Sequence, residues 1–227
     1  MPTFDIIKQC SPKKSFRVAS IMGKFDLQDN HIIEKFKGNI AIENIDWQIG
    51  AIIGTSGTGK TIIARELFKE NYFNIPQYKA DTILDDMSKE KSISEITQVF
   101  NSVGFSSPPS WLKPYSVLSQ GEQMRVNLAR ALLEDKELIV FDEFTSVVDR
   151  NIAKIGSYAV SKAIRRTAKK FIAVSCHFDF LEWLQPDWIF NTNNMEFSLY
   201  KKKDRKSNCQ FMNVKERCGK FLGSIII

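Results

Sequence analysis

At 227 residues the chain is long enough for one α/β domain, or one domain with a small lobe, and its 43% apolar residues suffice for a core. The net charge of +6 is spread along the chain except for the run Lys201-Lys202-Lys203-Asp204-Arg205-Lys206; it suits a soluble surface and also contact with nucleic acid or an anionic membrane. No apolar run approaches the roughly 20 residues that span a bilayer, which excludes a membrane channel built from this chain alone, and Cys10, Cys176, Cys209 and Cys218 lack the CxxC spacing of a zinc or disulfide framework.

Residues 16–27 read as an N-terminal strand region, and 40–53 as strands bounded by Gly38 and Gly54. A helix is expected over 61–69. Ile93, Ile96, Val99, Phe100 and Val103 recur with a helical period, and Ser106-Ser107-Pro108-Pro109-Ser110 breaks it. Residues 121–133 are helical again, with Met124, Leu128, Ala131 and Leu132 on one face. Buried-type strands at 138–141 and 171–174 flank a helix over 152–169. This alternation implies a mostly parallel sheet covered by helices. Residues 201–227 read as a basic, poorly packed tail. The first 14 residues carry no secretory-signal pattern, and together with the cysteine usage this points to the cytoplasm.

Gly54-Thr55-Ser56-Gly57-Thr58-Gly59-Lys60-Thr61 follows the apolar strand Ala51-Ile52-Ile53 and satisfies the phosphate-loop pattern. Its glycines let backbone N–H groups turn inward toward phosphate oxygens, at the N-terminus of the helix behind them. Lys60 is positioned for the β- and γ-phosphates and the Thr61 hydroxyl for Mg²⁺. Downstream, Leu138-Ile139-Val140-Phe141 ends in Asp142 and Glu143. The first carboxylate suits the Mg²⁺ shell, the second an attacking water.

Leu118-Ser119-Gln120-Gly121-Glu122-Gln123 leads into Met124-Arg125-Val126-Asn127-Leu128-Ala129-Arg130-Ala131-Leu132. Ser119 with Glu122 three residues on has the form of a helix capping box. The stretch also resembles the signature segment, written LSGGQ, of the ABC ATPases, with Gln120 in place of the first signature glycine and Glu122 in place of the final glutamine. Further elements follow the family's order. Thr145-Ser146-Val147-Val148-Asp149 resembles the D-loop, although Phe144 stands where proline is usual. His177, after Ala173-Val174-Ser175-Cys176, resembles the switch histidine. Gln77 in Ile75-Pro76-Gln77 resembles the Q-loop glutamine, a metal-shell residue. Phe25 and Phe36 are the aromatics upstream of the phosphate loop, and Phe25 is taken as the adenine-stacking one.

The resemblance covers about residues 16–199 and implies a P-loop NTPase core with a short helical lobe near 80–134, within a domain over 1–200. It implies ATP hydrolysis with Mg²⁺ in a head-to-tail homodimer. There Ser119, Gly121 and Glu122 meet the γ-phosphate held by the partner, and Asp149 touches the partner subunit. Glu143 and His177 are the expected catalytic pair. Three readings of the role compete: a soluble ATPase acting on nucleic acid or protein, the ATPase subunit of a membrane transporter, and a P-loop kinase. The signature stretch argues against the kinase. The short arm between Gln77 and Ser119, the net charge and Glu122 favour a soluble load, with nucleic acid first and a membrane permease behind it.

Overall fold

The computed structural model describes residues 3–10, 15–26 and 32–200. Alternation along Thr3–Cys10 (β1) sets Phe4 and Ile6 on one face, and the antiparallel partner Ile32–Asn39 (β2) brings Phe36 opposite Ile6. The described part of the expected strand region 16–27 is not a strand. Ser15 accepts a hydrogen bond from the Val18 N–H at 3.2 Å and starts helix Phe16–Lys24 (α1). The apolar residues Val18, Ile21, Met22 and Phe25 have helical rather than alternating spacing, which the strand reading overlooked.

The expected strand over 40–53 begins only at Ile49–Ile53 (β3). Before it Ile40 and Trp47 are buried, yet the Ile42 N–H closes a tight turn on the Ile40 carbonyl at 2.9 Å. Apolar alternation there reflects a loop packed on the core, not a hydrogen-bonded ladder. The other strands are Leu138–Phe141 (β4), Lys170–Ser175 (β5), Trp188–Asn191 (β6) and Glu196–Leu199 (β7), the last two outside the elements expected from sequence. The sheet order is β4-β5-β3-β6-β7, with β7 alone antiparallel to its neighbour. Tyr72 adds one parallel bridge beside Val140, beyond β4.

Side-chain alternation assigns the two faces of this sheet. Ile49, Ala51 and Ile53 of β3, with Phe141, Phe171 and Ala173, face Gln120–Leu133 (α6), Arg150–Ile164 (α7) and Phe180–Leu184 (α8). Apolar residues of Ile83–Asp86 (α3) and Ile93–Ser102 (α4) join the same cluster, as does Trp111 of the short helix Pro108–Trp111 (α5). Ile52, Val140, Ile172 and Val174 face the other way, against Ile63 and Ala64 of Lys60–Leu67 (α2) and against Phe4, Ile6 and Phe36. A parallel sheet covered on both faces is the arrangement that the near-continuous apolar strands require. The chain leaves α7 at Arg165, earlier than the expected helix end at 169. Beyond it the Thr167 hydroxyl bonds back to the Ile164 carbonyl at 3.0 Å, and Lys169 donates to the Leu132 and Glu134 carbonyls. The basic segment 201–227, with Cys209 and Cys218, lies outside the described residues.

Candidate nucleotide site

Three parallel strands end at one edge of the sheet, where α/β folds place their ligands. β3 runs into residues 54–61, β4 into Asp142 and Glu143, and β5 through Cys176 to His177. Gly59 caps α2 with φ +83°, in the left-handed region where glycine carries no steric cost; a side chain there would also strike the Phe36 ring, 2.4 Å from an added Cβ. Phe36 is thereby a core residue under the loop, whereas Phe25 is 63% exposed, with the Lys24 amine 5.9 Å from its ring centre. Lys60 Nζ donates to the Thr55 carbonyl at 2.7 Å, so its side chain lies back across the loop. Ser56 and Gly57 are exposed, and Thr61 opens the second turn-forming position of α2.

Asp142 is held on both oxygens. The Tyr72 hydroxyl donates to Oδ2 at 2.6 Å and the Glu143 N–H to Oδ1 at 2.8 Å. The Arg65 guanidinium lies 4.7 Å over the Tyr72 ring, which links α2 to the end of β4. Burial, with the hydrogen bond to Asp142, pushes the Tyr72 hydroxyl up to about 12. Glu143 is exposed, and both it and Thr145 have left-handed backbones, φ +51° and +65°. Such conformations cost roughly 1–3 kcal/mol each and persist only where surroundings hold them. Phe144 between them does so: its N–H donates to the Val174 carbonyl at 2.9 Å, and its fully buried ring packs on Phe141, Phe171 and Phe180. A proline here could not make that hydrogen bond. The Thr145 carbonyl accepts from Arg150, whose other nitrogen pairs with Asp179 at 2.7 Å. His177 is half-buried, its N–H on the Ser175 hydroxyl at 3.2 Å.

The start of α6 forms the capping box read from the sequence. Glu122 N–H donates to Ser119 Oγ at 3.4 Å, and Glu122 Oε2 accepts from the Ser119 N–H at 3.0 Å. Its other oxygen accepts from Ser110 Oγ at 2.8 Å, so an acid at this position ties α5 to α6. Those bonds, led by the one from Ser110, hold the Glu122 carboxyl below the usual carboxylate range. Gly121 is buried against Ile152 of α7, 2.8 Å from an added Cβ. Gln120 has an ordinary helical backbone, so glycine's freedom is not needed there. Gln77 is exposed; the adjoining Tyr78 stacks on Tyr115 at 4.1 Å, and both hydroxyls bond Asn127 of α6. Asp149 caps α7, accepting from the Asn151 and Ile152 N–H groups.

Residues 54–61, Asp142, Glu143 and His177 thus share the sheet edge, while Phe25 lies at the end of α1. Among the described residues, no hydrogen bond joins Ser119 or Gly121 to the phosphate loop. Sequence reading missed Tyr72, Thr192 and Asn193, the last two in the turn between β6 and β7 that touches the loop. Their contacts arise from distant chain segments, and no local pattern announces them. Among the described residues no group of three or more His, Cys, Asp or Glu side chains could hold a metal, and no helix is long and apolar enough to cross a membrane.

The model of the ABC transporter family matches residues 65–146, from α2 through the Asp142-Glu143 pair. The chain is 23% identical over 195 residues to the probable peptide export ATP-binding protein YydI of Bacillus subtilis (strain 168), covering 75% of this chain and 92% of that protein. It is 23% identical over 152 residues to the ribosome protection protein VmlR of the same organism, covering 56% of this chain and spanning only 28% of VmlR's length. In fold it is similar to the ATP-binding cassette MJ0796, solved as a dimer in a post-hydrolysis state bound to ADP and Pi. That match has a TM-score of 0.60 at 14% identity and covers 87% of this chain and 100% of that one.

Proposed function

We propose that the chain is an ATP-hydrolysing cassette of the ABC type that binds ATP with Mg²⁺ and hydrolyses it in a head-to-tail homodimer, a reading supported by the family-model match over residues 65–146 and by the fold. The observation that carries this reading is the shared sheet edge, which gathers a lysine-bearing phosphate loop and an adjacent pair of carboxylates. Mg²⁺ characteristically takes one or two carboxylates and completes its shell with phosphates and water. The donor set fits: Asp142 and the Thr61 hydroxyl would hold it, with Gln77 as a further ligand. Once bound, the ion supplies charge neutralisation at the β- and γ-phosphates.

Lys60 moves from the Thr55 carbonyl to the phosphates, and the backbone N–H groups of residues 57–61 cradle them. The Glu143 carboxylate, exposed and free of the Asp142 side chain, takes a proton from the attacking water as its oxygen bonds the γ-phosphorus, the β–γ bridging P–O bond breaks, and ADP and inorganic phosphate leave. His177 reads the γ-phosphate from β5. Phe25 stacks on adenine. Ser119, Gly121 and Glu122 present the α6 N-terminus to the nucleotide on the partner, and Asp149 meets the partner's surface.

The load in this reading is a soluble macromolecule, with nucleic acid favoured by the net charge of +6. The similarity to VmlR, named for ribosome protection, agrees with that class. Transporter-subunit function is the second reading, favoured by the alignment with YydI over 92% of its length. Glu143→Gln with ATP and Mg²⁺ should dimerise by light scattering and retain ATP, while Lys60→Ala should lose high-affinity ATP binding and stay monomeric. ATP binding unchanged in Lys60→Ala overturns the site, and wild-type turnover in Glu143→Gln overturns the role of Glu143. Copurification with a polytopic membrane protein would replace the soluble load with the transporter.

A further inference from the structure

Thr55 is the most heavily bonded residue of the phosphate loop, and two of its five hydrogen bonds reach the far end of the fold. Its N–H and its hydroxyl both donate to Asn193 Oδ1, at 3.0 and 2.9 Å. Its carbonyl accepts from Lys60 Nζ at 2.7 Å and from Thr58 Oγ1 at 2.9 Å. Thr58 Oγ1 in turn lies 2.5 Å from Thr192 Oγ1, which bonds the Ile53 carbonyl at 3.1 Å, and the Thr192 N–H reaches the same carbonyl at 2.8 Å. Thr192 is 2% exposed. It sits so close to Gly54 that a Cβ added to that glycine would lie 2.1 Å from Thr192 Oγ1. Asn193 is itself oriented by its N–H on Asn191 Oδ1 at 3.0 Å. The turn between β6 and β7 therefore grips the loop at its first residue, its second and its fifth.

We infer that Thr192 and Asn193 are positioning residues for the nucleotide: they brace the phosphate loop from beneath and set ATP affinity without touching ATP. A glycine-rich loop is open to many backbone states, and ordering each unfixed residue when ligand arrives costs conformational entropy. A loop already held by side-chain bonds pays less of that cost at binding, the general advantage of preorganisation. The bonds to the Thr55 carbonyl also set the starting point of Lys60, the cation that faces the phosphates. The inference rests on the ATP reading of the site.

Three variants test it. Thr192→Val keeps the shape and removes the hydroxyl, whereas Thr192→Ser keeps the hydroxyl; Asn193→Ala, at an exposed position, removes the acceptor for Thr55 without disturbing the core. Hydrogen exchange of the nucleotide-free protein should show residues 54–59 exchanging about tenfold faster in Thr192→Val and Asn193→Ala, with β5 unchanged and Thr192→Ser like wild type. ATP titration should show affinity about tenfold weaker in the first two variants and near wild type in Thr192→Ser. In steady state the loss should fall on KM, with kcat within about twofold. If wild type binds ATP and the variants bind it equally well with unchanged loop exchange, the brace is refuted. A global rise in exchange with kcat falling as much as affinity makes the turn merely structural and also refutes it. If wild type itself fails to bind ATP, the nucleotide reading fails, and the exchange data judge the brace separately.

Discussion

Replacing Phe144 by alanine removes the buried ring that, with the Arg150 bond to the Thr145 carbonyl, anchors the strained turn carrying Glu143. The ring is fully buried and lies 5.4, 5.8 and 6.2 Å, centre to centre, from Phe180, Phe171 and Phe141. Truncation of such a phenylalanine costs about 3–5 kcal/mol. Against this stands the strain stored at Glu143 and Thr145, roughly 2–6 kcal/mol for the two left-handed residues together. The two quantities are comparable, so a turn that loses its anchor relaxes and recovers part of its strain. Net destabilisation should consequently sit at the low end, about 3 kcal/mol, measured by urea denaturation. Relaxation also carries the Glu143 carboxylate away from the attacking water. A positioned base contributes about 10²–10⁴-fold, so kcat should fall by at least about tenfold at a temperature where the variant is folded. ATP affinity should remain within about twofold, because among the described residues no hydrogen bond connects this turn to residues 54–61. Full destabilisation with kcat unchanged would refute the link between the anchor and the base, and a parallel loss of ATP affinity would show the damage to be general.

The remaining expectations concern Tyr72 and Glu122. Tyr72→Phe keeps the ring under Arg65 but removes the bond to Asp142, a charged acceptor, and should cost about 1.5–3 kcal/mol in urea denaturation; unchanged stability would mean the hydroxyl is equally well served by water. The folded Glu122 carboxyl lies below its unfolded value, so its contribution is present above about pH 4.3, the ordinary glutamate value, and is lost as pH falls through the lower folded value. The stability difference between wild type and Glu122→Gln should therefore shrink as pH is lowered below about 4.3, and a difference constant with pH would refute the assignment.

Much of this site could be read locally because its chemistry is local. The phosphate loop directly follows β3, Asp142 and Glu143 end β4, and Ser119 and Glu122 are three residues apart in a capping box that the structure contains. Periodicity placed α4 correctly for the same reason, since it buries one face through Ile96 and Phe100, whereas α6 is buried around more of its circumference, with Val126, Asn127, Leu128 and Ala129 all buried. It failed at α1, whose apolar residues make no buried face at all and whose cap at Ser15 was the better signal. It failed again at residues 40–48, where alternating apolar side chains belong to a packed loop. Thr192, Asn193 and Tyr72 could not be found from sequence, because each acts on a residue 70 to 138 positions away.

The strand order has a consequence for synthesis. Among the described residues β3, which launches the phosphate loop, has its hydrogen-bonded neighbours in β5 and β6, at residues 170–175 and 188–191. On a ribosome adding about 5–20 residues per second, it waits on the order of 6–30 s for them. During that interval Ile49, Ile52 and Ile53 have no ladder to enter, and the nascent chain must keep an apolar strand from pairing elsewhere. The loop's bonds to Thr192 and Asn193 form later still, after the sheet has closed around them. In a growing chain, a fully braced phosphate loop is therefore a mark of a finished sheet.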